Sequence, residues 1–197
     1  MASLTVTLEQ VRKKIEDYKT IYATGEEAVK NQLINPVLTS LGWDVENPER
    51  VRLNVPIGSG FADYALVVDG TPIAIIEAKN QNVELDTALD QAFKYGSKQG
   101  AKYVILTNGN EWRLYWTFVE NVPQKDRLIW KVDIRSDVVS TAKALETIQR
   151  DDWNKLRERI EADARKRALS ERWAQFVEDQ DRLVSVLVLI RTVVVES

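Results

Sequence analysis

Residues 71–78, TPIAIIEA, place Ile73, Ala74, Ile75 and Ile76 in succession, so a strand here is apolar on both faces. Such a strand suits the centre of a sheet covered on both sides. The flanking sequence supplies neighbours for it. Val51 to Ile57 alternates, with Leu53, Val55 and Ile57 on one face, and Gly58-Ser59-Gly60 reads as a turn. Phe61 to Val68 is a second strand, joined to the third by Asp69-Gly70, a strong hairpin signal. Leu85 to Lys98 reads as a helix ending near Gly100. Lys102 to Thr107, Glu111 to Phe118 and Leu128 to Ile134 read as further strands, with Asn108-Gly109 as a turn.

Two helices precede the strands. Leu8 to Tyr22 carries Val11, Ile15, Tyr18 and Tyr22 near helical spacing, and Thr24-Gly25 offers a break. Glu26 to Leu41 follows, with Gly42 as its C-terminal cap. On this second helix the positions 27, 31, 34, 38 and 41 share a face, which places Glu27 on an apolar stripe. Beyond residue 135 the pattern becomes helical. Val138, Ala142, Leu145 and Ile148 form one stripe, Trp153, Leu156, Ile160 and Ala164 a second, and Trp173, Phe176 and Val177 a third. The order of elements predicts an α/β core over 1–135 and a helical C-terminal extension over 136–197. The apolar run Leu183 to Val195 is expected to close the core, to form an interface between two copies, or to be covered by a continuation of the chain.

Composition narrows the chemistry. The 197 residues include no histidine and no cysteine. That excludes Ser-His-Asp triads, thiol nucleophiles, zinc fingers, HNH-type sites and haem or iron–sulfur centres. Acid–base chemistry near neutral pH is left to carboxylates, lysines, tyrosines or a metal-bound water, and any metal site must be oxygen-rich, which favours magnesium or manganese. The formal charge of −3 gives no global attraction to nucleic acid. The N-terminus becomes charged too early for a signal peptide, and the longest apolar run is too short for a membrane span, so a cytoplasmic location is expected.

Within the strands, three charges stand out. Asp63 interrupts the apolar FADYALVV, and Glu77 and Lys79 end PIAIIEAK. The Asp69-Gly70 hairpin brings the two strands side by side, and residues two apart share a face. Asp63, Glu77 and Lys79 are thus expected around one point. Two carboxylates and the Ala78 carbonyl make a hard oxygen site for magnesium or manganese. A lysine beside it can hold a water and balance phosphate charge. The alternative is that Glu77 and Lys79 are merely the first solvated residues of a strand end. Gln91 and Tyr95 are four apart on the following helix and share its face. They either lean over the site or divide into a packed tyrosine and a solvated glutamine. Arg52, Lys94 and Lys98, with Arg50 and Lys102, are candidates for a phosphate-tracking patch, or else charges on solvated faces. Trp112, Trp116 and Trp130 have apolar neighbours and are expected to pack. Arg157, Arg159, Arg165, Lys166 and Arg167 alternate with acids, as on a solvated helix face.

The succession GFADYAL, IIEAK and QAFKY resembles the PD-(D/E)XK nuclease superfamily. More narrowly it resembles the N-terminal nuclease domain of type I restriction enzyme motor subunits and their stand-alone relatives. The upstream EEAVKNQLINPVLTSLGWDV and the later AKYVILTNGNEWRLYW extend the resemblance over about residues 20–118. It implies a restriction-endonuclease-like mixed central sheet flanked by helices. It also implies Asp63 and Glu77 as metal ligands with the Ala78 carbonyl, and Lys79 as the catalytic lysine. Glu27, or less favourably Glu26, would complete or orient the metal site, and Gln91 and Tyr95 would be accessory. The activity implied is Mg2+- or Mn2+-dependent DNA cleavage leaving a 5′-phosphate. The partners implied are DNA, a second copy of the chain, and motor or specificity subunits. Ala62 stands where the family's nominal motif has proline, and no GxxxxGK[ST] phosphate loop is present, so the chain, working alone, is expected to have no motor. The competing reading is a catalytically silent DNA-binding or assembly module of the same fold.

Overall fold

The computed structural model describes residues 3–58 and 60–153, together with 158 and 177–178. The chain divides into two compact units, Met1–Trp153 and Asn154–Ser197. The second and third apolar stripes, the basic stripe after Arg157 and the run Leu183 to Val195 lie outside the described residues, Trp153 and Val177 apart.

Helix α1 spans Leu4–Asp17, with Ser3 capping its first turn, and α2 spans Lys19–Thr24. The single helix expected over 8–22 therefore starts earlier and breaks at Tyr18, whose φ of −126° leaves the helical region. The next helix is also composite. Helix α3 (Glu26–Val29) runs into a π-helical turn at Lys30–Ile34 and then α4 (Asn35–Ser40). Six strands follow as β1 (Val51–Ile57), β2 (Gly60–Val68), β3 (Thr71–Ala78), β4 (Tyr103–Thr107), β5 (Glu111–Trp116) and β6 (Leu128–Asp133). Helix α5 (Leu89–Gln99) connects β3 to β4, and α6 (Val138–Leu145) follows β6.

The six strands form one mixed sheet in the order β1-β2-β3-β4-β5-β6. Every neighbouring pair is antiparallel except β3 and β4, which are parallel and need the α5 crossover. The doubly apolar TPIAIIEA is central, as expected, and every residue of β3 from Ile73 onward is buried, as is all of β4. On one side α5 buries Ala92 and Phe93 among Val104, Leu106 and Tyr115. Gly96 permits this approach, since a Cβ there would lie 2.6 Å from Val104 Cγ2. Tyr103, next to Val104 on β4, faces the opposite way. It meets the ring of Trp153 at 5.3 Å, and Trp153 meets Trp43 at 5.8 Å. Trp112 and Trp130 are buried as well. The mixed α/β class is thus as the sequence predicts.

Residues 136–153, which the sequence pattern assigns to the extension, pack with the first unit. Helix α6 lies against α1 and β6 and buries Val138, Thr141, Ala142 and Leu145. The first compact unit runs to Trp153, and the stripe Val138, Ala142, Leu145, Ile148 is buried within it. Among the described residues, no helix is long and apolar enough to cross a membrane.

Candidate active site

The β2–β3 hairpin brings the central charges together. Its register pairs Tyr64 with Ile76, and one further step sets Asp63 opposite Glu77. Opposed residues of antiparallel strands lie about 5 Å apart and point to one side. The Asp63 side chain is 12% exposed and that of Glu77 only 2%. Asp63 Oδ2 accepts the Ala78 backbone N–H at 2.8 Å. A strand residue's carbonyl leaves the same edge as its N–H, so the Ala78 carbonyl is on the β2-facing edge of β3. Lys79 Nζ donates to Glu77 Oε1 at 2.6 Å, and its own backbone N–H is held by the Thr107 carbonyl at 2.9 Å. Asp63, Glu77, Ala78 and Lys79 are therefore gathered at one end of the β2–β3 pair, as the spacing predicts.

The buried carboxylate is incompletely satisfied. Glu77 Oε2 is buried and has no hydrogen-bond partner. Burial pushes the Glu77 carboxyl up to about 7, although the hydrogen bond and charge of Lys79 pull the other way. For Lys79, burial alone would lower the pKa, but Glu77 outweighs it, with Glu26 and Asp63 adding to the effect. Lys79 therefore stays an ammonium at neutral pH. In that form it offers hydrogen-bond donors and a positive charge and does not accept a proton.

The preceding helix contributes differently from the expected stripe. Glu27 is 77% exposed, and it does not lie on a buried face. The buried positions are Val29, Leu33, Ile34, Val37, Leu38 and Leu41, and the π-helical turn at Lys30–Ile34 adds a residue to the stripe. Counting back from Val37 through Leu33, Lys30 and Glu26 fall on the inward side. Glu26 Oε2 lies 3.9 Å from Lys79 Nζ. Lys30 Nζ lies 3.0 Å from Asp63 Oδ1, with its side chain 12% exposed. Glu27 reaches the site only indirectly, through its ion pair with Lys30. Sequence reasoning misses Lys30 because regular helical spacing aligns Glu27 with 31, 34, 38 and 41. The available signal is a lysine three and four residues before the buried pair Leu33 and Ile34.

Gln91 Nε2 donates to the Tyr95 hydroxyl at 3.2 Å, so the i, i+4 pair does form. The tyrosine is buried and leans on the start of β2, where a Cβ on Gly60 would lie 2.2 Å from its oxygen. Glycine at position 60 is thus what lets Tyr95 sit there. This pair is not hydrogen-bonded to Asp63, Glu77 or Lys79. Arg52 lies apart from the basic candidates of α5. Arg52 Nη2 donates to the Gly70 carbonyl at 3.2 Å, at the closed end of the hairpin away from Asp63. Lys98 lies beside Gly58 at the β1–β2 turn, and Lys94 is exposed on α5.

Whether these residues fit a cation depends on their donors. Among the described residues no group of three or more acidic side chains is placed to share one ion. The Asp63–Glu77 pair nevertheless offers two carboxylates, an orphaned buried oxygen on Glu77 and the Ala78 carbonyl, an all-oxygen set suited to magnesium.

Asp63, Glu77 and Lys79 thus stand together at adjacent strand ends of a mixed sheet. Residues 58–122 match the family described as the type I restriction enzyme R protein N terminus, the family that the motifs resemble. The matched segment contains Asp63, Glu77, Lys79, Gln91 and Tyr95. A solved structure reported under "Characterization and crystal structure of the type IIG restriction endonuclease BpuSI" is similar over 74% of this chain and 17% of that one. It is 20% identical, with a TM-score of 0.37. Comparison with curated proteins gives no match.

Proposed function

We propose that the chain is a Mg2+- or Mn2+-dependent DNA endonuclease domain of restriction type, hydrolysing phosphodiester bonds. The observation that carries this reading is the buried Asp63–Glu77 pair with Lys79 on one of its oxygens and another left without a partner. A buried carboxylate oxygen left unpaired costs stability, and a site that binds a cation recovers it. Asp63, Glu77 and the Ala78 carbonyl would hold the ion. When bound, it would polarise the scissile phosphate and ease deprotonation of the attacking water.

The chain's own residues do the rest. Lys79, held as an ammonium by Glu77, donates to the nucleophilic water or a non-bridging phosphate oxygen and offsets the charge that grows at phosphorus. Glu26, at 3.9 Å, limits the directions that ammonium can take. Of the two adjacent glutamates, Glu26 and not Glu27 is thus the helix carboxylate of the site. Gln91 and Tyr95 act from the neighbouring helix, as groups that meet the DNA backbone and fix the start of β2. DNA is the partner the reading requires. Motor or specificity subunits, and a second copy of the chain, are the further partners it leaves room for.

The test is incubation with supercoiled, linear and single-stranded DNA, with and without magnesium, comparing wild type with Lys79→Ala. Cleavage that needs both magnesium and Lys79 supports the reading. Cleavage indifferent to chelator or to Lys79 overturns it. DNA binding without any cleavage supports instead the silent module.

A further inference from the structure

We propose that Lys30 is a positioning residue that acts as the resident counter-cation of Asp63, competing with the divalent ion until DNA phosphate draws it away. This rests on the nuclease reading and concerns how that same site is loaded.

A lysine 12% exposed is uncommon and must be paired. Lys30 Nζ is paired twice, with Asp63 Oδ1 at 3.0 Å and with Glu27 on its own helix. Asp63 Oδ2 already accepts the Ala78 N–H, so both Asp63 oxygens are engaged. Glu77 Oε1 is engaged by Lys79, which leaves Glu77 Oε2 as the orphan. A divalent ion on Asp63 Oδ1 must therefore share that oxygen with the Lys30 ammonium, at the cost of cation–cation repulsion, or displace it.

The charges make the competition effective. With Glu77 ionised, Lys30 and Lys79 offset the charges of Asp63 and Glu77, and the helix carboxylates Glu26 and Glu27 add negative charge around them. That compensation weakens the attraction of the Asp63–Glu77 pair for a divalent cation. Removing a unit positive charge a few ångströms away strengthens that attraction by well over a factor of ten at protein-like dielectric constants, before compensation. Lys30 also has somewhere to go. Glu27 is 77% exposed and already bonded to it, so Nζ can leave Asp63 without becoming an unpaired buried charge. A phosphate near the site offers the same ammonium a second anionic partner. Binding of the metal and binding of DNA are then coupled, each easing the other.

The experiment is titration of the full metal-free chain with Mn2+, followed by the electron paramagnetic resonance of the free ion. It uses wild type, Lys30→Met, Lys30→Gln, Lys30→Arg and Asp63→Asn, with folding checked by circular dichroism. Without DNA, Lys30→Met and Lys30→Gln are expected to bind Mn2+ about tenfold more tightly than wild type. Lys30→Arg is expected to bind like wild type, and Asp63→Asn to lose the site. A non-cleavable duplex is expected to tighten wild type and to narrow its gap to Lys30→Met. Wild-type binding that needs Asp63 but is unchanged or weakened in both neutral Lys30 variants overturns the role of Lys30 and leaves the nuclease reading standing. Absence of Asp63-dependent Mn2+ binding in every variant, with no magnesium-dependent cleavage, overturns both. The Gln variant keeps the test decisive should Lys30→Met fail to fold.

Discussion

Two buried ionic clusters lie on one row across this sheet, and they are built differently. Glu77 opposes Leu106 on β4, and Leu106 opposes Arg113 on β5. Two strand spacings, roughly 10 Å, separate the acid from the arginine. Around Arg113 the pairing is closed. Its Nη1 donates to Asp86 at 2.7 Å and its Nε to Glu111, which Lys131 also meets at 3.3 Å. Among the described residues, none of the orphaned buried atoms belongs to that cluster. Burial would lower the arginine's pKa, but Asp86, Tyr115 and Glu111 outweigh it, and the net shift is upward. Around Glu77 the pairing is open, with one oxygen unpartnered and the carboxyl pushed up to about 7 by burial. A closed ion pair is a structural tie between β5 and the segment that leads into α5. An open one leaves an acceptor unused at a cost in stability, which is what the proposed cation site requires.

That contrast can be broken by experiment. Lys79→Ala and Asp63→Ala are expected to reduce magnesium-dependent cleavage by about a thousandfold, on the scale of losing a preorganised charge partner. Their circular dichroism is expected to match that of wild type. Arg113→Met is expected to do the reverse. Denaturant unfolding should show a loss of about 3 kcal/mol, the low end for opening a buried pair, because Asp86 is 73% exposed and keeps its water. Cleavage per folded molecule should be preserved. An Arg113→Met protein that is stable but inactive would place the arginine in the site and end the distinction.

The third prediction concerns pH. Folded Glu77 holds its proton to about pH 7, against 4.5 when unfolded. Between those values the folded chain binds more protons than the unfolded one, so Glu77 subtracts stability as pH rises. Thermal melts in chelator should therefore shift in favour of Glu77→Gln over wild type from pH 4.5 to 7, by up to about 3 kcal/mol. A difference that is flat with pH would mean that Glu77 is ionised throughout. Smaller still, magnesium at about ten times its dissociation constant should stabilise wild type by about 1.4 kcal/mol at pH 8. Asp63→Asn should show none of this in the same melt. Smallest, Tyr95→Phe should cost a few-fold in cleavage, since it removes the hydroxyl that Gln91 holds while keeping the ring packed.

Much of the fold was legible because periodicity and turn chemistry are local. The strand runs, the Asp69-Gly70 hairpin, the α5 helix capped by Gly100 at φ 67° and the burial of TPIAIIEA all follow from neighbours in the chain. So does the meeting of Asp63, Glu77 and Lys79, because one short hairpin sets their register. The helical contributions were less legible. A π-helical turn changes which side chains face inward, and nothing in EEAVKNQLI announces it, so regular spacing points to Glu27 where Glu26 and Lys30 are found. The extent of the first unit was obscured for a related reason. A helical stripe after residue 135 is the same whether it covers the existing core or begins a new one, and α6 covers the core.

The sequence by itself therefore determined the chemistry open to this chain. Without histidine or cysteine, acid–base work near neutral pH falls to carboxylates, lysines, tyrosines or a metal-bound water, and local pairing rules put Asp63, Glu77 and Lys79 at one strand end. The tertiary structure alone decided how those charges are balanced. It brought Lys30 to Asp63, Glu26 to Lys79 and Arg113 to Asp86, and left Glu77 Oε2 without a partner. The physical reason is that which residues form strands follows from side-chain alternation within a few neighbours. Which charges meet, and which are left open, depends on helix rotation and on segments distant in the chain.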